Sequence, residues 1–267
     1  MEQATRKQYD LICSLGGNCS VAHNLRFRNM RPFSLPFDWC YILDDAPIYK
    51  LAECFDNNFK FYCLKENLQE LPENSAHKDK VQYKDTYTGY IYANHFSKSI
   101  NDCSGGGNEY MNFKAKQDRR IERLYSEIEK GSKILFLLST SFEIGIDCVA
   151  NLKRALEQKW NNKVFDFIVM SFNCSEDSTI ENNGIMMIKY KRGTNLYDFI
   201  YTNYEWAFLD KITLSNVIKK RNYHIFKIAK LRRGIKILIL TRIATICRIR
   251  LKCLGLRFEL CIGKESE

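Results

Sequence analysis

The residues best equipped for chemistry lie together near the start of the chain, in Ser14–Leu25, SLGGNCSVAHNL. Cys19 follows a Gly16–Gly17 pair and opens a run with helical spacing, with Asn18 available to cap its first turn. The free N–H groups and positive dipole end of a helix favour a thiolate. The same amides could hold an oxyanion. A glycine turn before a helix also suits phosphate, although the stretch is neither GxGxxG nor a P-loop. A nucleophilic thiol needs a base, and the chain has four histidines, His23, His77, His95 and His224. His23 is one helical turn beyond Cys19. His95 closes an aromatic-rich strand, Tyr87–Phe96, beside small and polar neighbours. The remaining cysteines show no CxxC pair and no zinc-ligand spacing among the eleven present, so they read as small hydrophobes in a reducing compartment. No metal or other cofactor is called for.

The elements that must position these groups alternate. Tyr9–Leu15 reads as a strand, Cys19–Met30 as a helix and Ala46–Phe55 as another. Residues 64–86 are polar and poorly patterned, and 101–109, with its three successive glycines, reads as a flexible loop. The spacing of Ile121, Leu124 and Ile128 predicts a helix over Phe113–Lys130 with one buried face. Lys133–Ser139, Phe165–Phe172 and Ile185–Tyr190 are continuous apolar strands, with a helix over Cys148–Trp160 between the first two. Leu196–Phe208 and Ile212–Lys220 read as helices. Apolar strands alternating with helices predict an α/β fold, a three-layer sandwich around a mainly parallel sheet with a basic C-terminal helical extension. In such sheets, sites form beyond the carboxyl ends of the strands, where Cys19 falls.

Ser14–Trp39, SLGGNCSVAHNLRFRNMRPFSLPFDW, resembles the opening signature of the putative papain-like cysteine peptidases, a family of uncharacterised bacterial proteins. That signature joins an S-L-G-x-x-C block to an S-x-P-F-D-W block. Asn94–Phe96 is similar to the family's His-Asp-Phe block, with Phe96 directly after His95, and Arg119–Leu124 to its Arg-Arg helix. The resemblance spans about residues 8–175. It implies Cys19 as nucleophile and His95 as general base. It matches Asp38 to an acid that either orients a histidine or caps a turn. Arg119 and Arg120 would clamp an anionic substrate, pair with Asp38, or lie on a solvated face. Gly16, Gly17 and Asn18 would line the substrate's approach. The name also implies an α+β papain-like fold as the alternative to the parallel sheet.

Charge divides the chain. The net charge is +10, yet no acidic residue lies between Asp210 and Glu259, while 211–258 hold 14 Lys or Arg interleaved with aliphatics. The expected domains are therefore 1–210, carrying the site, and a basic apolar extension, 211–267. Such a segment suits an anionic membrane surface through 219–257. Nucleic acid is disfavoured, since a recognised motif is absent there. The N-terminus lacks the apolar core of a signal peptide, and no apolar run is long enough to span a bilayer. The expected location is cytoplasmic, peripheral on the inner face of the membrane. Three functions follow: a Cys/His hydrolase or acyl transferase acting on a peptide, amide or glycan-linked substrate; a phosphate- or nucleotide-sugar-handling enzyme of surface-glycan assembly, docked by its tail; or a non-catalytic binding module.

Overall fold

The computed structural model describes residues 7–72, 80–102, 105–191 and 206–214. The chain divides into a unit Met1–Ile218 and a unit Lys219–Glu267. The second lies wholly outside the described residues, and with it all of the expected basic extension beyond Leu214.

The fold is mixed α/β. Its strands are β1 (Lys7–Tyr9), β2 (Leu11–Ser14), β3 (Leu68–Glu70), β4 (Val81–Asp85), β5 (Ile91–Phe96), β6 (Lys133–Thr140), β7 (Val164–Ser171), β8 (Ser178–Asn182), β9 (Ile185–Lys189) and β10 (Ile212–Leu214). Its helices are α1 (Ser20–Phe27), α2 (Ala46–Asp56), α3 (Gly106–Lys130) and α4 (Ile146–Lys159). The main sheet has the order β2-β6-β7-β9-β8. Neighbouring strands run parallel from β2 to β9, and only β8 is antiparallel to its neighbour.

The apolar runs form this sheet because their residues are buried on both faces. Leu11, Cys13, Ile134, Phe136, Leu138, Phe165, Phe167 and Val169 face one core, with α2, α3, α4 and residues 35–42. Ile12, Leu135, Leu137, Ile168 and Met170 alternate with them and face a second core, with Val21 and Leu25 of α1 and with Trp206, Leu209, Ile212 and Leu214. A smaller antiparallel sheet, β3-β4-β5, contributes Tyr83, Tyr92 and Phe96 to the first core.

Several local expectations are corrected. The strand foreseen over Tyr9–Leu15 is two strands in different sheets, broken at Asp10, whose carboxylate accepts the N–H groups of Ser132 and Lys133. Ile212–Leu214 is a strand paired with β1, where a helix was foreseen. The rest of that stretch, and most of Leu196–Phe208, lies outside the described residues. The polar region 64–86 contains β3 and β4. Within the expected glycine loop, Gly106 starts α3, packed so closely on the Ser99 carbonyl that an added Cβ would stand 1.7 Å from that oxygen.

Candidate active site

Immediately past the carboxyl end of β2, Gly16 and Gly17 turn the chain with φ of +82° and +88°. Glycine adopts these angles without the penalty a side chain incurs. Both residues are buried against the protein's own backbone. A Cβ on Gly17 would lie 2.1 Å from the Ser139 carbonyl oxygen, at the end of β6. A Cβ on Gly16 would meet the carbonyls of Phe37 and Cys40 at 3.1 and 3.2 Å. The Tyr90 hydroxyl ties the turn down by donating to the Leu15 carbonyl at 2.8 Å. The glycines therefore admit neighbouring backbone at the positions where a ligand was expected to approach.

The N-cap of α1 is Cys19 itself, which makes no side-chain capping bond, so Asn18 stands one residue before the position expected of it. Its Oδ1 accepts the Ser20 N–H at 2.9 Å, and its Nδ2 donates to the Ser139 carbonyl at 3.0 Å. This side chain couples the start of α1 to the end of β6, and it too is buried. The next residue, Cys19, stands at the helix entry.

Seven cysteines among the described residues are free; six are buried, and Cys19 is half-buried. Burial pushes its thiol above the ordinary value, outweighing the opposing effects of the Tyr41 hydroxyl and of its own backbone N–H, which favour the thiolate. This corrects the expectation of a lowered Cys19 pKa: the resting group is a protonated thiol.

His95 sits on β5 where the strand is irregular. Val81 pairs with Phe96 and Tyr83 with Tyr92, so a step of two residues on β4 faces a step of four on β5. A bulge of this kind re-aims side chains. The imidazole packs edge-on to Tyr92 and Phe113, with ring centroids 5.7 and 5.3 Å away. Nε2 is buried with no hydrogen-bond partner among the described residues. Burial, with Arg120 and Lys116 nearby, lowers the imidazole pKa to about 4, so it is neutral at pH 7.

Tyr41 bears on the Cys19 thiol and the Trp39 backbone on the His95 imidazole. No hydrogen bond among the described residues joins Cys19 to His95, whose Nε2 has no partner among them. The segment 39–41 is fixed by Tyr41, whose N–H and carbonyl exchange 2.9 Å hydrogen bonds with Ile91 of β5. His23 lies one turn along α1, its N–H bonded to the Cys19 carbonyl at 3.0 Å.

Asp38 is buried and engaged by other groups. Its Oδ2 accepts from Arg31 Nε at 2.7 Å and from the Leu35 N–H at 2.8 Å, and lies 2.5 Å from Arg31 Nη2. Burial raises its pKa, against the lowering effects of Arg31, the Leu35 amide and the more distant Arg120. Arg119 is exposed on α3, and Arg120 is half-buried, its charge felt by Asp38, Cys40 and His95. Farther along the helix, Arg123 donates to the Ser34 carbonyl at 3.0 Å. His77 and His224 lie outside the described residues.

Sequence reasoning did not single out Tyr41, Arg31, Arg123 or Gln117. Gln117 is fully buried on α3, and neither end of its amide finds a partner among the described residues. For Arg31 a signal existed: a cation seven residues before an acid in a proline-bounded segment. For Tyr41 there was none, because its place over Cys19 depends on pairing with a strand fifty residues later.

The signature of the putative papain-like cysteine peptidases matches residues 10–177. The chain belongs to that family. An uncharacterised protein, R408, of Acanthamoeba polyphaga mimivirus is 27% identical over 188 residues, covering 63% of this chain and 80% of the relative. The relative is viral and lends no support to the expected bacterial source. No solved structure matches. No helix among the described residues is long and apolar enough to cross a membrane.

Proposed function

We propose that this member of the papain-like cysteine peptidase family is a thiol-dependent hydrolase or acyl transferase with Cys19 as nucleophile and His95 as general base. The observation that carries this reading is that Cys19, at the entry to α1 beyond the carboxyl end of β2, is the half-buried thiol among six buried ones in the described residues. A neutral imidazole on the bulged strand β5, its Nε2 left without a hydrogen-bond partner among the described residues, supports His95 as the base.

In this reading His95 Nε2 takes the Cys19 proton as the sulfur attacks a carbonyl carbon. The S–C bond forms, and the C=O π pair moves onto oxygen. Collapse expels an amine, alcohol or thiol, which takes the proton from the imidazolium and leaves a thioester on Cys19. Water then cleaves that thioester, or a second acceptor takes the acyl group. Because burial raises the thiol above its ordinary value and lowers the imidazole to about 4, the resting pair is neutral. The proton moves in concert with bond formation to the substrate. Asp38, held by Arg31, keeps the shape of the segment that carries Trp39 and Tyr41.

The test is acyl capture. Full-length protein is incubated with a panel of activated peptide esters, amides and thioesters and mapped by mass spectrometry. An acyl adduct on Cys19 that disappears in Cys19→Ser is expected. Turnover retained in Cys19→Ser would sink the reading and favour phosphate chemistry, for which the buried glycine turn offers no support. Docking of residues 219–257 on an anionic membrane surface belongs to the same proposal and rests on their charge. Binding of the full chain to vesicles containing phosphatidylserine should weaken steeply with salt.

A further inference from the structure

Helix α3 turns an apolar face inward, marked by Phe113, Ile121, Leu124 and Ile128, and Gln117 stands in the middle of that face. Its side chain is fully buried, and neither its Nε2 nor its Oε1 has a hydrogen-bond partner among the described residues. A leucine or methionine would fill similar space without giving up any hydration. An amide kept unpaired at such a place costs stability with nothing in return, and folded proteins retain few such groups.

The register of α3 against β5 fixes what this amide faces. The Ser97 and Lys98 N–H groups donate to the Glu109 carboxylate at 2.7 and 3.3 Å. One turn on, Phe113 packs against Phe96, His95 and Tyr92, with ring centroids 4.8, 5.3 and 4.9 Å away. Strand and helix therefore run antiparallel. The next turn of α3 brings Gln117 to about 5–6 Å from Phe113, on the side that leads back along β5 toward His95 and Tyr92. Less than two turns farther, Arg123 donates to the Ser34 carbonyl at 3.0 Å. Gln117 thus lies between the histidine and the segment that follows Arg31. His95 Nε2 is a second buried polar atom there with no partner among the described residues.

From this placement we infer that Gln117 and His95 Nε2 share one buried site for a water molecule, through which Gln117 is a positioning residue for the imidazole. The chemistry of both groups fits. A buried water typically makes about three hydrogen bonds, and a carboxamide supplies donors and an acceptor from one side chain. Nε2 of a neutral imidazole is either a donor or an acceptor, and water and amide together can answer both. The charged ring donates from both nitrogens, and the water oxygen accepts. The ring is held in each protonation state. The site does not depend on Cys19. Its meaning for catalysis rests on the thiol-hydrolase reading, in which His95 is the base.

The test needs no substrate. In wild-type protein labelled with 15N-glutamine, the Gln117 side-chain amide protons should show dipolar cross-relaxation with a long-lived water, although the residue is fully buried. Absence of that cross-peak overturns the inference. In protein labelled with 15N-histidine, Gln117→Leu should shift the His95 Nε2 resonance, and an unmoved resonance overturns the positioning role. Thermal melts add a readout by sign. Gln117→Leu should lower the midpoint, because it strips the water and Nε2 of a partner. A raised midpoint would mean that the amide was unpaired and would contradict the site. If the variant does not fold, the wild-type cross-peak decides. Acyl capture on Cys19 reports on the hydrolase reading separately. A water cross-peak without a Cys19 adduct removes that reading and leaves the site, whereas an adduct without the cross-peak removes only the site.

Discussion

Asp38 accepts two hydrogen bonds on one oxygen, from Arg31 Nε at 2.7 Å and from the Leu35 amide at 2.8 Å. The Asp38 side chain is 1% exposed and that of Arg31 9%, so both charges have left water. The pair staples the start of the 31–41 segment to its own turn, and that turn carries Trp39 toward His95 and Tyr41 toward Cys19.

Breaking a buried pair strands the surviving charge, which typically costs 3–5 kcal/mol. Asp38→Asn and Arg31→Met should each lower the urea-derived unfolding free energy by about 3 kcal/mol. Together they should cost clearly less than the sum, since the second change removes the stranded charge. Additive losses would mean that the two side chains act independently.

The glycines offer a contrast. Gly17→Ala places a methyl 2.1 Å from the Ser139 oxygen at a φ of +88°, and should cost about 3 kcal/mol or more. In Gly107→Ala the new methyl meets nothing within 4 Å, in the first turn of α3. That variant should gain about 0.5–1 kcal/mol from helix propensity. Thermal melts of the two variants check both signs.

His95 ties stability to pH. Its folded pKa of about 4 lies below the ordinary 6.5, so on acidification the unfolded chain takes up this proton first. The stability from keeping the imidazole neutral is fully present above about pH 6.5 and is lost progressively down to about pH 4. The loss is roughly 2–3 kcal/mol, less whatever solvent access relieves. Urea titrations across this window should show a slope in the wild type that is flattened in His95→Gln. Equal slopes would place the acid sensitivity elsewhere.

Much of the fold was legible because continuous apolar runs have few other uses. Lys133–Ser139 and Phe165–Phe172 are β6 and β7, and the face marked by Ile121, Leu124 and Ile128 is the buried face of α3. The site was legible at Cys19 because a glycine pair before a helix constrains the backbone locally. What escaped was set by partners distant in sequence. Ser178–Asn182 leaves four of its five residues exposed and shows no alternation. It is a strand because the Asn183–Gly184 turn, with φ of 46° and 74°, folds it onto β9. That dipeptide was the available signal. Ile212–Leu214 is extended because it pairs with Lys7–Tyr9 at the other end of the chain. The thiol's raised pKa was missed for a related reason: helix position can be read from local residues, whereas the burial that overrides it depends on the tertiary fold.

Competitive alkylation of the native protein puts the central claim to its most direct test. With limiting iodoacetamide at pH 8 and site-resolved mass spectrometry, Cys19 should be modified before Cys13, Cys40, Cys54, Cys63, Cys148 and Cys174. Its rate should still be climbing through pH 9, as a raised thiol requires. If any of those six buried cysteines reacts as fast as Cys19, the half-buried sulfur at the entry to α1 is not the protein's nucleophile.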